Sequence, residues 1–304
     1  MSRWTLSVLV AVLWSCAITQ EDLDAWEAVA ESSSSGGLAP TGKRVMGPHG
    51  GTLIEVGSGT FDMGCTQGQD ECRSNESPVR PVTLTHDVYV GETEVTQREY
   101  EAIVGVNPSS FRDCGVECPV ENVTWSEAAY FANLVSALAG LTACYECGLR
   151  GSGIVVCSVA LSPYSCDGYR LLTEAEWEGA ARCGADLRYA GSDDVSKVAW
   201  YGENASATQP VARLAPNACG LYDMSGNVSE YTQDGFDWEY YERGEDSDPE
   251  GDVDAPGQRV RRGGNYRASP TQLRVSYRDY WDSTDSRIDF IGFRLARTVL
   301  WSEE

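Results

Sequence analysis

The chain has 304 residues, enough for one large domain or two small ones with a sizeable core. Lys and Arg number 23 and Asp and Glu number 46, so the formal net charge is −23. A surface this negative repels phosphate backbones, so we expect no nucleic-acid partner, whereas divalent cations or basic ligands suit it better.

The N-terminus predicts a targeting segment. Arg3 gives a positive start, and the apolar run of residues 6–14 is too short to span a bilayer. The sequence Leu13-Trp14-Ser15-Cys16 is similar to a bacterial lipobox. We therefore expect residues 1–16 to be a lipoprotein signal peptide with lipidation of Cys16, and membrane contact through a lipid anchor alone. The alternative is ordinary signal cleavage near Ser15, which leaves Cys16 as a thiol.

Residues 17–50 read as a flexible tether. A possible short acidic helix is followed by four serines and two glycines at 32–37, which is the composition of a flexible linker. The first 50 residues thus predict an exported protein, lipid-anchored in the bacterial cell envelope.

The cysteines favour an oxidising compartment. There are 11, and setting Cys16 aside leaves ten at short spacings. The ten are Cys65 and Cys72, Cys114 and Cys118, the cluster Cys144, Cys147, Cys157 and Cys166, and Cys183 and Cys219. We expect five disulfides, formed by these three pairs and within the cluster in an order that the spacing leaves open. The alternative is a zinc site, since Cys144 and Cys147 have ligand spacing.

Three helices and several strands are predicted between residue 51 and the C-terminal part of the chain. Residues 52–63 read as a strand pair around Gly57-Ser58-Gly59, and residues 82–90 alternate as a further strand. Thr-x-x-Glu capping boxes begin helices at Thr96, Thr124 and Thr173, and the first two end at Gly105 and Gly140. The cysteine cluster between the second and third helices shows little periodicity.

Residues 217–231 form the most informative loop. Glycines and anchored apolar residues there predict a tight loop pinned to a core, with Asp223 and Glu230 as its carboxylates. Such a loop can direct carboxylate and carbonyl oxygens to one point, as Ca²⁺ requires. The alternative is that both carboxylates only cap backbone amides.

Four stretches in this order carry a family resemblance: residues 170–178, 217–231, 261–266 and 291–294. Over residues 52–297 the chain resembles the formylglycine-generating enzyme family, also called the sulfatase-modifying factor family. The resemblance implies an α+β, C-type-lectin-like fold over residues 51–298, loop-rich, with short strands and about three helices. It also implies a structural calcium site formed by the side chains of Asp223 and Glu230 and the carbonyls of Gly226 and Val228.

The chain departs from the family where the catalytic chemistry lies. The family's enzymes oxidise a substrate cysteine with copper held by two cysteines just beyond the Gly-Gly motif. Here residues 265–278 contain no cysteine, and the last cysteine of the chain is Cys219. Because soft Cu(I) needs thiolate or thioether ligands, we do not expect copper. Two interpretations remain open: a non-catalytic ligand-binding module, or an oxidoreductase-type enzyme with a replaced active site.

The altered segment has the composition of a recognition surface. Residues 266–290 mix aromatic side chains with Ser, Asp, Thr and Arg, as binding loops do. The segment is similar to the variable regions of retroelement-diversified proteins that share this fold. We expect partly exposed side chains around a groove that binds a protein, peptide or glycan ligand, with Arg274 and Arg278 nearby. The predicted ligand-binding residues are Tyr266, Arg267, Tyr277, Tyr280 and Trp281.

Overall fold

The computed structural model describes residues 37–66, 69–151, 153–252, 257–281 and 286–300. The predicted signal peptide, Cys16 and most of the predicted tether lie outside these residues. Among the described residues, no helix is both long enough and apolar enough to cross a bilayer.

The fold is mixed α+β and rich in loops, as predicted. Four of its strands form one sheet in the order β1-β2-β5-β12, and four form a second in the order β10-β9-β8-β11. The pairs β3-β4 and β6-β7 each form a separate two-stranded sheet. The strands are β1 Pro40–Met46, β2 Thr52–Val56, β3 Gly59–Met63, β4 Arg80–Leu84, β5 Val88–Gly91, β6 Tyr145–Arg150, β7 Ile154–Val159, β8 Ser229–Gly235, β9 Arg259–Arg262, β10 Asp279–Trp281, β11 Ile291–Gly292 and β12 Ala296–Thr298.

The three predicted helices are present with the predicted caps. Thr96, Thr124 and Thr173 each accept a hydrogen bond from the backbone amide of the glutamate three residues later. The first two helices end at Gly105 and Gly140, both in the left-handed region. The described helices are α1 Gln97–Val104, α2 Trp125–Ala139, α3 Glu174–Arg182 and the one-turn α4 Val195–Val198 and α5 Tyr240–Arg243.

The predicted tether is wrong for residues 37–50, which belong to the domain. Strand β1 pairs antiparallel with β2, Leu38 is buried, and His49 is buried against Phe131 and Tyr169. Because β1 is an edge strand whose side chains are mostly exposed, it lacks the alternation by which a strand is recognised in sequence. The two strands predicted for residues 52–63 are present as β2 and β3, but they do not pair with each other, because β2 pairs with β1 and β5, whereas β3 pairs with β4.

The cysteine cluster forms a disulfide-bonded hairpin. Strands β6 and β7 pair antiparallel and pack on α2. Their disulfides are Cys144–Cys166 and Cys147–Cys157, which settles the order within the cluster. The zinc alternative is wrong, because Cys144 and Cys147 belong to different disulfides.

Candidate functional site

The loop of residues 217–231 is tied to the core through Asn217, and its last three residues already belong to strand β8. The side-chain amide of Asn217 donates to two carbonyls at the end of α3, and its oxygen accepts from the amides of Cys219 and Leu221. Residues Asp223, Gly226 and Asn227 have positive φ angles. A side chain at Gly226 would collide with the Trp200 carbonyl, 2.4 Å from the added Cβ, so glycine is required there. The backbone is therefore irregular up to residue 228, as predicted, whereas residues 229–231, predicted as loop, begin β8.

Buried carboxylates gather on this loop. Asp223 accepts from the amide of Ala212 at 2.7 Å, and Glu230 accepts from Arg294 at 2.6 and 2.7 Å. Glu94, which the sequence did not single out, accepts from the amide of Val228 and the side chain of Asn227, both at 3.2 Å. No local pattern marks Glu94, because its partners lie more than 130 residues away.

The electrostatics of this group suit a divalent cation. Burial, and then the charges of Asp223 and Glu230, raise the pKa of Glu94 well above its usual range. Burial also raises the pKa of Asp223. Without a cation these shifts favour the neutral carboxyl forms of Glu94 and Asp223, whereas the charge of Glu230 is compensated by Arg294. Carboxylate and carbonyl oxygens are the kind of donor that Ca²⁺ prefers, but Arg294 already binds both oxygens of Glu230.

The altered segment of residues 265–278 is largely buried, which corrects part of the prediction. Tyr266 and Tyr277 are 1% and 2% exposed, so neither presents a ring to solvent. Arg274 and Arg278 are also buried rather than placed around a groove.

Two ion pairs hold this segment in the core. Arg274 donates to both oxygens of Glu76 at 2.6 and 2.7 Å. Arg278 donates to both oxygens of Glu174 at 2.6 and 2.8 Å. Such bidentate pairs fix both side chains, since the planar guanidinium matches the carboxylate. Glu174 thus serves the scaffold.

The other predicted ligand-binding residues lie in different surroundings. Arg267 is exposed and pairs with Asp289 at 2.7 Å. Tyr280 is half-buried in β10. Trp281 belongs to the same strand, and its side chain lies outside the described part of the structure.

Tyr280 contributes to an aromatic group that the sequence did not single out, the Trp238 cluster of Phe236, Trp238 and Tyr280. The ring of Tyr280 lies 4.4 Å from that of Phe236, and the ring of Trp238 lies 5.2 Å from Phe236 and 5.8 Å from Tyr280. Trp238 is 51% exposed. The aromatic pair at 236 and 238 is visible in the sequence, but its closeness to Tyr280 depends on the fold.

The ten cysteines of the described residues are all oxidised. They form Cys65–Cys72, Cys114–Cys118, Cys144–Cys166, Cys147–Cys157 and Cys183–Cys219. Five disulfides are typical of a protein exported to an oxidising compartment.

The chain is similar to proteins of known family. A family profile described as "Sulfatase-modifying factor enzyme 1-like domain" matches residues 42–299. The chain is 32% identical to "Chaperone protein LppX" of Paenibacillus barcinonensis over 246 residues, covering 71% of this chain and 82% of that protein. It is 36% identical to the formylglycine-generating enzyme of Streptomyces coelicolor over 151 residues, covering 42% of this chain and 46% of the enzyme.

Two solved structures are similar to this chain in fold. "Treponema denticola variable protein 1" superposes with a TM-score of 0.71 at 30% identity, covering 84% of this chain and 99% of that one. PvdO from Pseudomonas aeruginosa superposes with a TM-score of 0.68 over 86% of this chain and 99% of that one, and at 22% identity it shows the fold alone. The profile extends over most of the folded residues and includes all four motifs of the resemblance, so the chain belongs to the sulfatase-modifying factor enzyme 1-like domain family.

Proposed function

We propose that this protein is an exported, non-catalytic, ligand-binding member of the family. The proposal rests on the sequence and the burial of residues 265–278, where the family resemblance places the copper cysteines. That segment has no cysteine, and buried ion pairs of Arg274 and Arg278 fix it in the core. The ten cysteines of the described residues are in disulfides, so this part of the chain offers no thiolate pair to Cu(I). Similarity to a chaperone protein over 71% of the chain fits binding rather than catalysis.

The Trp238 cluster is the recognition surface we favour. Trp and Tyr bury large area at low cost in side-chain entropy, and an exposed Trp in contact with two other rings is held in place before a ligand arrives. Its ligand is a protein, a peptide or a glycan. Arg267, exposed beside Asp289, is a second candidate contact.

Copper titration with a thiol-peptide oxidation assay tests the absence of catalysis. The purified, oxidised protein should leave a cysteine peptide unchanged with Cu(I) and oxygen, under conditions where the Streptomyces coelicolor enzyme converts it. Conversion of the peptide would support the alternative, an enzyme with a replaced active site.

Peptide and glycan arrays test the recognition surface. Trp238→Ala and Tyr280→Ala should weaken binding to the array ligands of the parent protein, because each removes a ring of the cluster. Tyr130→Ala is the matched control, since Tyr130 is 37% exposed on α2. Array signals that are unchanged in both cluster variants would contradict the assignment.

Calcium is proposed as a structural ion of the loop. The side chains of Asp223 and Glu230 and the carbonyls of Gly226 and Val228 would hold it, and the raised pKa values of the buried Glu94 and Asp223, which a bound cation would lower, support the assignment. Calcium should raise the Tm of EDTA-treated protein, and Asp223→Asn or Glu230→Gln should abolish that rise. Exposed Glu101→Gln should not. A calcium-dependent rise that persists in both loop variants would refute the site.

Lipidation of Cys16 is proposed from the lipobox-like sequence alone, because Cys16 lies outside the described residues. Mass spectrometry of the mature N-terminus in a bacterial host should find a diacylated Cys16, and Cys16→Ser should release the protein from membranes. A mature chain that is cleaved near Ser15 without lipid would favour simple export to the envelope.

A further inference from the structure

One disulfide of the domain is open to solvent. Cys72 is exposed and Cys65 is half-buried, whereas each of the other four disulfides of the described residues includes at least one buried cysteine. A disulfide exchanges when a thiolate attacks one of its sulfurs, so the rate depends on access to that sulfur. Cys65–Cys72 is therefore the disulfide of this part of the chain that an external thiol reaches most easily.

The surroundings of the two sulfurs distinguish the one attacked from the one that leaves. Nη1 of the buried Arg274 donates to the Cys65 sulfur at 3.6 Å. A thiolate released at Cys65 therefore gains a hydrogen bond from a cation, and a stabilised thiolate leaves faster. The carboxylate of Glu76 is close by, but both of its oxygens already accept from the same guanidinium. Exposure favours attack at Cys72, and Arg274 favours Cys65 as the leaving group.

The residues that follow this disulfide cover the altered segment. We call residues 69–76 the strap, and they contact residues 271–278 along their length. The contacts join Gln69 to Ser276, Glu71 to Thr271 and Arg274, Arg73 to the ring of Tyr277, Asn75 to Arg278, and Glu76 to Arg274 and Ser276. Since Cys72 lies within the strap, the disulfide ties the strap to the core residues around Cys65.

The disulfide fixes the end of the strap whose other contacts are weaker. Residues 69–72 are half-buried or exposed, whereas Asn75 and Glu76 are buried. Hydrogen bonds near solvent compete with water and contribute little, whereas the buried pair of Glu76 and Arg274 is shielded from water. Opening of the disulfide therefore frees residues 69–72 and loosens the cover of the altered segment, while the Glu76 end stays in place.

We propose that Cys65–Cys72 is a thiol–disulfide exchange site for external thiols and dithiols, and that its opening loosens the strap. The attacking thiolate forms a bond to the Cys72 sulfur as the Cys65–Cys72 bond breaks, and Cys65 leaves with the electron pair as a thiolate. A monothiol stops at this mixed disulfide on Cys72. The second thiolate of a dithiol then displaces Cys72, so the dithiol is oxidised to a disulfide and the protein is reduced to two thiols. The two protons of the dithiol pass through solvent to the two protein thiolates.

The inference goes beyond the proposed function and does not depend on it. Exchange joins sulfur to sulfur, without copper and without a ligand at the Trp238 cluster. Treatment of a peptide with a reductant before its mass is measured reverses the exchange, but it does not restore a cysteine that has been converted to formylglycine. The two proposals therefore fail separately.

Mass mapping after brief treatment with 2-mercaptoethanol tests the exchange. The oxidised full chain is treated, free thiols are blocked with N-ethylmaleimide, and the digested peptides are identified. The adduct should be on Cys72 and the blocked thiol on Cys65. The internal control is Cys114–Cys118, which has a half-buried and a buried cysteine and should open about tenfold more slowly. An adduct mainly on Cys65, or equal opening of the two disulfides, would overturn the proposal.

Hydrogen exchange measured by mass spectrometry tests the strap. In the double variant Cys65→Ser with Cys72→Ser, deuterium uptake by residues 271–278 should be faster by about threefold. Cys114→Ser with Cys118→Ser is the matched control and should leave this uptake unchanged. The parent protein, opened selectively with 2-mercaptoethanol, gives a second measurement that needs no substitution and should show the same rise. Uptake by residues 271–278 that is unchanged when Cys65–Cys72 is open would refute the role of the strap.

Discussion

The buried pair of Glu76 and Arg274 gives the sharpest test that the altered segment is scaffold. Both side chains are fully buried, and Arg274 also donates to the Ser276 hydroxyl at 2.9 Å and the Glu71 carbonyl at 3.1 Å. Burial by itself raises the pKa of Glu76, but hydrogen bonds and charge from Arg274 outweigh it and lower the pKa overall. The carboxylate is therefore charged in the folded protein at neutral pH.

Glu76→Gln should be strongly destabilising, because it leaves the buried guanidinium of Arg274 without its counter-charge. Breaking a buried ion pair from one side costs about 3–5 kcal/mol, which lowers the Tm by on the order of 10 °C in a domain of this size. Urea unfolding followed by tryptophan fluorescence measures the loss. The stabilisation by Glu76 should be complete above the usual glutamate pKa of 4.5 and should be lost as the pH falls through the lowered folded pKa.

The control is the exposed pair of Arg98 and Glu117. Glu117→Gln should leave the urea midpoint nearly unchanged, since solvent and salt screen exposed charges. The double variant Glu76→Leu with Arg274→Met should be more stable than either single variant, because it removes both buried charges. A midpoint for Glu76→Gln equal to that of Glu117→Gln would refute the assignment of this segment to the core.

Three further predictions concern other parts of the domain. Burial lowers the pKa of His49 from 6.5 to about 4, so the unfolded chain binds more protons between these values. Stability should fall by up to about 3 kcal/mol as the pH drops from 6.5 to 4, and His49→Gln should flatten this slope in urea titrations. Tyr266→Ala should lower the free energy of unfolding by about 3–5 kcal/mol, because Tyr266 is buried. Tyr280→Ala should lower it much less, because Tyr280 is half-buried. Thermal melts measure both losses, and equal losses would contradict the difference in burial. Replacing Cys147 and Cys157 by Ala should lower the free energy of unfolding by about 2–4 kcal/mol, which calorimetry measures. An unchanged free energy of unfolding would mean that the hairpin needs no covalent link.

The sequence alone determined the features that depend on neighbouring residues. Each long helix begins at a threonine whose partner glutamate lies three residues away, so the signal is complete within one turn. The glycine ends of the first two helices are equally local. The family and its fold could also be read, because four motifs occur in the required order.

Only the tertiary structure decided what is buried in the altered segment. Its aromatic and arginine-rich composition is that of a binding loop, and the sequence therefore favoured exposure. The partners that hold it inside are remote: Glu76 lies 198 residues from Arg274, and Glu174 lies 104 residues from Arg278.

The same reason explains the other differences between prediction and structure. Glu94 joins Asn227 across 133 residues, and edge strand β1 is recognisable only through its pairing with β2. A local pattern reports which side chains could pair, whereas burial and charge compensation depend on which distant residues the fold brings to them.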